Sequence, residues 1–277
     1  MGGNPSETCI DIADYLGCDC DYFPGMDDFE PIQAAFDKAV IDGKNNGYIP
    51  VLVVANDNLA GMFYDNAGVE FGDIDKDELR NYREDLIAGI SDDGAQDFFD
   101  EKLEEIQEYA DEYDFETELA GEIADGESLT GISIPFELGS NRTQELPLII
   151  ARIMKRVFLG SNRTQELLLA KIPVTNPWEI AAWLPMGNWN ECPDPESMMA
   201  VAKRWYEKYG AIICSMSSDE LEFRVEKPLA DKDEAYALAK EHYFFCQDRL
   251  EQYAEDYNFG KLADCLMKST VWYFWWD

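Results

Sequence analysis

The segment Trp189-Asn190-Glu191-Cys192-Pro193-Asp194 sets an amide, a carboxylate and a thiol side by side. A thiol with a base next to it is the minimum for nucleophilic catalysis, so Glu191 and Cys192 are candidate catalytic residues. Such chemistry needs a lowered thiol pKa, supplied by a cation or a helix N-terminus, and Cys192 falls just before an expected helix start. The single histidine, His242, is the third candidate, although it sits mid-helix beside Tyr243 and Phe244. A structural reading of the loop competes with this one: Asp194 caps the next helix, Cys192 packs, and Asn190 bonds loop backbone.

Metal chemistry has less to work with. Among seven cysteines only Cys18-Asp19-Cys20 is close-spaced, and one histidine cannot complete a zinc site. The odd number and irregular spacing fit idle or buried thiols in a reducing compartment. Asp73, Asp75, Asp77 and Glu84 match positions 1, 3, 5 and 12 of a calcium loop, but Glu78 stands where the sharp turn needs glycine. In a chain this acidic the spacing arises by chance. Neither a metal nor a cofactor is expected.

The strongest charge feature runs from Asp92 to Glu127, with sixteen acids and one base, Lys102. A run of this kind is ordinarily a solvated helix face. Its functional reading is capture of a basic protein by charge, or imitation of nucleic-acid phosphates. Glu104, Glu105, Glu108 and Asp111 are the candidate partner-binding residues.

Helical periodicity places elements around these groups. Phe29, Ile32, Phe36, Ala39 and Val40 mark a helix over Asp28–Ile41, and Asp75–Ile90 and Gln96–Tyr113 are two more. The second of these carries the acids. Pro195–Tyr209 is amphipathic, with Asp194 as N-cap and Gly210 in the C′ position. Asp231–Phe245 and Gly260–Met267 complete the helices. Val51–Val54, Leu167–Val174, Ala211–Met216, Leu221–Val225 and Thr270–Trp276 read as strands. The last is aromatic on both faces, as in a strand buried between layers. This order predicts an α+β fold, a mixed sheet covered by helices, with an acidic helical N-terminal region.

An internal repeat interrupts the middle. Leu138–Leu146 recurs without change as Leu159–Leu167, 21 residues on, and each copy leads into an apolar, strand-like segment. Two copies do not make a solenoid. They mark a recent local duplication or an alteration of the chain.

The chain has 277 residues, 57 acids and 22 bases, for a net charge of −35. Residues 1–130 hold 35 acids and 6 bases, while 131–277 hold 22 and 16 together with all seven tryptophans. An acidic α/β region (1–130) and an aromatic-rich α+β domain (131–277) are therefore expected, or one domain with an acidic elaboration. Without about 18 consecutive uncharged apolar residues no membrane span is expected. The N-terminus shows no export signal, which points to a cytoplasmic location. Direct binding to nucleic acid through a broad basic surface is not expected at this charge.

The run Ile172-Pro173-Val174-Thr175-Asn176-Pro177-Trp178-Glu179-Ile180, with Trp183-Leu184-Pro185 and Trp189-Asn190-Glu191-Cys192-Pro193 after it, resembles the bacterial family catalogued as domain of unknown function 4253. Ala202–Ala211, Leu221-Glu222-Phe223, Phe245-Cys246 and Ser269–Asp277 carry the same resemblance. It covers residues 167–277, with a less specific likeness from Asp19 to Val54. It implies no activity, cofactor or catalytic residue, and one strand before Ile172 where the repeat here supplies two. The reading preferred is an uncharacterised protein-binding module of the immunity or inhibitor type, directed at a basic partner. The alternatives are an enzyme around Glu191-Cys192 and a nucleic-acid mimic.

Overall fold

The structure, a computed structural model, describes residues 4–70, 74–109, 114–134, 164–251 and 257–277. In the N-terminal part α1 (Glu7–Leu16) leads into β1 (Asp19–Phe23), α2 (Glu30–Asn46), β2 (Ile49–Val54), α3 (Asp57–Ala67), α4 (Lys76–Gly89), α5 (Gly94–Tyr109) and a single turn, α6 (Phe115–Glu118). Then come β3 (Leu167–Ile172), a 3-10 turn at Pro177–Glu179, α7 (Ile180–Trp183), α8 (Pro195–Tyr209), β4 (Ile212–Met216) and β5 (Glu220–Arg224). The chain ends with α9 (Lys232–Phe245), α10 (Asp248–Glu251), α11 (Phe259–Leu266) and β6 (Val271–Trp275).

Among the described residues six strands form one mixed sheet in the order β1-β3-β2-β4-β5-β6. Only β2 and β4 run parallel; every other neighbouring pair is antiparallel. The fold is α+β, as the element order implied. Strands from both compositional regions share this sheet, so the division at 130/131 is one of composition, and the sheet crosses it. The first repeat copy lies outside the described residues. The second feeds β3, which is paired on both sides, by Leu169 to Asp21 of β1 and to Leu52 of β2.

Alternation along the strands splits the core. Leu52, Leu167, Leu169 and Cys214 meet Ile32, Phe36 and Ala39 of α2 on one face. The opposite face packs against α1, α3, α7, α8 and α9 in the larger core. Trp205 of α8 sits at its centre, stacked on Phe274 (5.5 Å between centroids) and edge-on to Phe223, Phe245 and Trp272.

The aromatic C-terminal strand differs from expectation in one respect. Trp272, Tyr273, Phe274 and Trp276 are buried, but β6 lies at the sheet's edge. Its outer backbone is closed by chain that precedes it. Arg249 donates to the Tyr273 carbonyl, the Cys246 thiol to that of Trp275 (3.0 Å), and the Thr270 and Val271 amides to the Leu129 carbonyl. An edge covered in this way no longer offers a template for pairing.

Candidate functional site

The acidic helix α5 packs along α8, and the seam between them opens into adjoining clefts. Helix α8 is fixed at both ends. The Asp194 carboxylate accepts from the backbone N–H of Glu196 and Ser197 (2.9 and 3.1 Å), and Gly210 ends the helix in the left-handed conformation. Helix α5 is held by Phe98, Phe99 and Ile106, all buried.

The middle cleft, about 240 Å³, is lined by Asp97, Glu101, Asp194 and Glu196 and by no basic side chain. It shares Phe98, Glu101, Asp194 and Ser197 with a cleft of about 300 Å³ that adds Lys102, Glu105 and the loop 188–193. There Lys102 bridges Glu105 (2.7 Å) and Glu191 (3.3 Å). Partial burial works against the Lys102 charge, but the hydrogen bond and charge of Glu105, joined by Glu191, outweigh it and hold its pKa above the usual lysine value. In the other direction the seam shares Ser91 and Ala200 with a cleft of about 450 Å³ carrying Lys203, Arg204 and Lys208. Lys203 pairs there with Asp92 (2.5 Å), which lowers that carboxyl's pKa, and Arg204 pairs with Glu241 (2.8 Å). The seam is thus acidic through its middle, while at this end bases and acids are mixed, with Asp92 and Glu207 beside Lys203, Arg204 and Lys208.

Two expected sites meet in this seam. Glu191, from the loop, and Glu105, from the acidic helix, share Lys102. Glu104 and Glu108 are exposed on another side of α5, and Asp111 lies outside the described residues. Asp97 and Glu101 were missed, yet their signal was in the spacing: Asp97, Glu101 and Glu105 recur every fourth residue and so line one helix face.

Cys192 and His242 are placed in different surroundings. Cys192 is buried at 4% exposure, and burial, reinforced by the Cys246 and Asp219 side chains, pushes its thiol pKa well up. That is opposite to what a nucleophile needs. His242 is fully buried among Phe274, Trp205 and Trp272, with ring centroids 4.7, 4.8 and 5.0 Å away. Burial, with help from Arg249, holds its pKa well below 6.5. No hydrogen bond joins the two among the described residues.

The loop is shaped by its backbone. Gly187, Asn188 and Asn190 have positive φ (98°, 66° and 45°), and the Asn188 amide donates to the Pro193 carbonyl at 3.2 Å. Asn190 Nδ2 reaches the Asp277 carbonyl at 2.6 Å. Of the calcium-like series, Asp75 caps α4, Asp77 pairs with Arg80 (2.8 Å), and Asp73 is outside the described residues. Among the described residues no group of three or more His, Cys, Asp and Glu side chains is placed to hold a metal, and no helix is long and apolar enough to cross a membrane.

Residues 168–277 match the family model described as Domain of unknown function (DUF4253). No curated protein and no solved structure matches the chain. The matched segment supplies four strands, β3 to β6, but β2 from outside it separates β3 from β4. Its sheet is contiguous only with the N-terminal strand in place.

Proposed function

With residues 168–277 matching the DUF4253 family model, we propose that the protein binds a basic protein partner along the α5–α8 seam, in the manner of an immunity or inhibitor-type module. One observation carries this reading: the middle cleft is lined by Asp97, Glu101, Asp194 and Glu196 with no base among them. Four carboxylates around one concave surface, in a chain of net charge −35, repel one another and attract lysine and arginine side chains. Such complementarity speeds encounter and selects partners by sign.

The test is localised neutralisation. A variant with Asp97→Asn, Glu101→Gln, Glu105→Gln and Glu196→Gln is compared with one that removes four exposed acids elsewhere, Glu30→Gln, Asp37→Asn, Asp85→Asn and Glu118→Gln. Both change net charge equally. Binding of arginine- and lysine-rich peptides, measured at low and high salt, should collapse in the first variant and persist in the second. Equal loss in both would reduce the attraction to net charge and remove the seam from the account.

A further inference from the structure

We propose that Cys18 and Cys20 form a dithiol redox site, in which Cys18 is the nucleophile toward a hydroperoxide and Cys20 resolves it to an intramolecular disulfide. The pair lies at the entry to β1. Cys20 is the second residue of β1 and Cys18 lies at the bend just before it, with the two Sγ atoms 4.0 Å apart. Even on fully extended chain, Cα atoms two residues apart are separated by only about 6.4–6.8 Å, within the upper reach of disulfide geometry. Side-chain rotation can therefore close the gap to the bonded distance of about 2 Å. Both thiols are half-buried, whereas Cys9, Cys192, Cys214, Cys246 and Cys265 are buried.

The surroundings favour one thiol over the other. Cys20 Sγ lies within reach of both Cys18 Sγ and the Cys18 carbonyl (3.6 Å); the contact between the two thiols lowers the Cys18 pKa against the cost of burial, and the positive charge of Arg83 adds to that. The same contact raises Cys20, as does its own burial. Arg83 is an unusual neighbour. It is buried at 9% exposure, lies 3.8 Å over the Trp183 ring, donates to the Tyr15 carbonyl at 2.9 Å, and leaves Nε without a partner among the described residues. Its charge is balanced there by no carboxylate pairing among the described ion pairs. A positive charge that favours the ionised form of a thiol makes it the better nucleophile of a pair.

The step balances. The Cys18 thiolate attacks one peroxide oxygen, forming an S–O bond and breaking O–O, and the departing alkoxide or hydroxide takes a proton. Cys20 then attacks the sulfenic sulfur; S–S forms, S–O breaks, and the Cys20 proton leaves with the oxygen as water. The dithiol loses two electrons, and the hydroperoxide gains them. Two equivalents of a small thiol reverse the change.

The full-length reduced chain is treated with hydrogen peroxide without denaturant, and its N-terminal peptide is weighed. The expected result is loss of two hydrogens, retained in Cys9→Ser and absent in Cys18→Ser. Cys20→Ser keeps a hydrogen-bond donor beside Cys18 and should accumulate a sulfenic acid there, trapped by a cyclic diketone. Cys18 in that variant should oxidise at least about tenfold faster than Cys20 in Cys18→Ser. A linkage through Cys9 or between two chains, equal rates in the reciprocal variants, or no loss of hydrogen would each overturn the proposal.

Discussion

The indole N–H of Trp205 donates to Glu241 Oε2 at 2.8 Å, and Glu241 Oε1 accepts from both Nε and Nη2 of Arg204. The carboxylate thereby joins the largest side chain of the core to a cation at the rim of the α5–α8 seam. Glu241→Ala would leave a buried indole N–H without its acceptor and the guanidinium without its partner. The expected cost is about 2–4 kcal/mol. Glu241→Gln should cost less, since its amide oxygen still accepts from Trp205. Denaturant midpoints at unchanged slope measure both.

Acid sensitivity should trace in part to His242. Its folded pKa is held well below 6.5 by burial, so between that depressed value and pH 6.5 the unfolded chain binds a proton the folded chain refuses. Stability therefore falls as the pH drops below 6.5, by about 1.4 kcal/mol per pH unit until the folded pKa is reached. His242→Phe fills the same aromatic site and forfeits no hydrogen bond with the described residues. Unfolding midpoints at pH 7 and pH 5 should converge in that variant relative to the parent; an unaltered difference would place the acid response elsewhere.

The loop before α8 should depend on Gly187. At φ 98° a side chain is strained, and a Cβ there would lie 1.9 Å from the Pro193 carbonyl oxygen and 3.3 Å from Cys192 Sγ. Gly187→Ala is expected to destabilise by about 3 kcal/mol or more. It should also expose Cys192 to thiol reagents that do not reach it in the folded parent. Melting temperature and labelling stoichiometry report the two effects together.

Removing Leu138–Phe158 joins Glu137 to Leu159 and keeps the copy that feeds β3. The retained copy runs into the interior strand β3 and is tied down just before it: Thr164 exchanges hydrogen bonds with Met26, and Glu166 accepts from Ser6 and Tyr22. The deletion is expected to cost no more than about 1–3 kcal/mol. Loss of cooperative unfolding would show that the removed residues belong to the core.

Local signals carried the sequence reading a long way. Asp194 caps the helix expected after it, and Asp75 and Asp231, expected as the first residues of their helices, are their caps; such signals are legible because a cap is a contact between residues two or three apart. Helices α1 and α3 were missed; α1 is only ten residues long and leaves Ile10 exposed, which blurs its apolar stripe. The place of β3 between β1 and β2 could not be read, since pairing partners far apart in sequence leave no periodic trace. The same holds for β6, whose two-faced burial was visible and whose edge position was not. At the site, the four-residue stripe on α5 was legible, but its neighbour on α8 was known only once the helices packed.

The position of β3 has a kinetic side. Strands β1 and β2 do not touch each other; each is completed by a strand that arrives after residues 55–166, 112 in all. Until that closure, the apolar stretch Val51–Val54 has no antiparallel neighbour, and folding must wait for a contact of long range, the slow class of event. Length matters little once a loop is that long. For a flexible chain, 21 extra residues raise the entropy of closing it by only about 0.2 kcal/mol. A duplication inside this span therefore leaves the assembly of the sheet almost as probable as before, while the same insertion within the short turn between β4 and β5 would not.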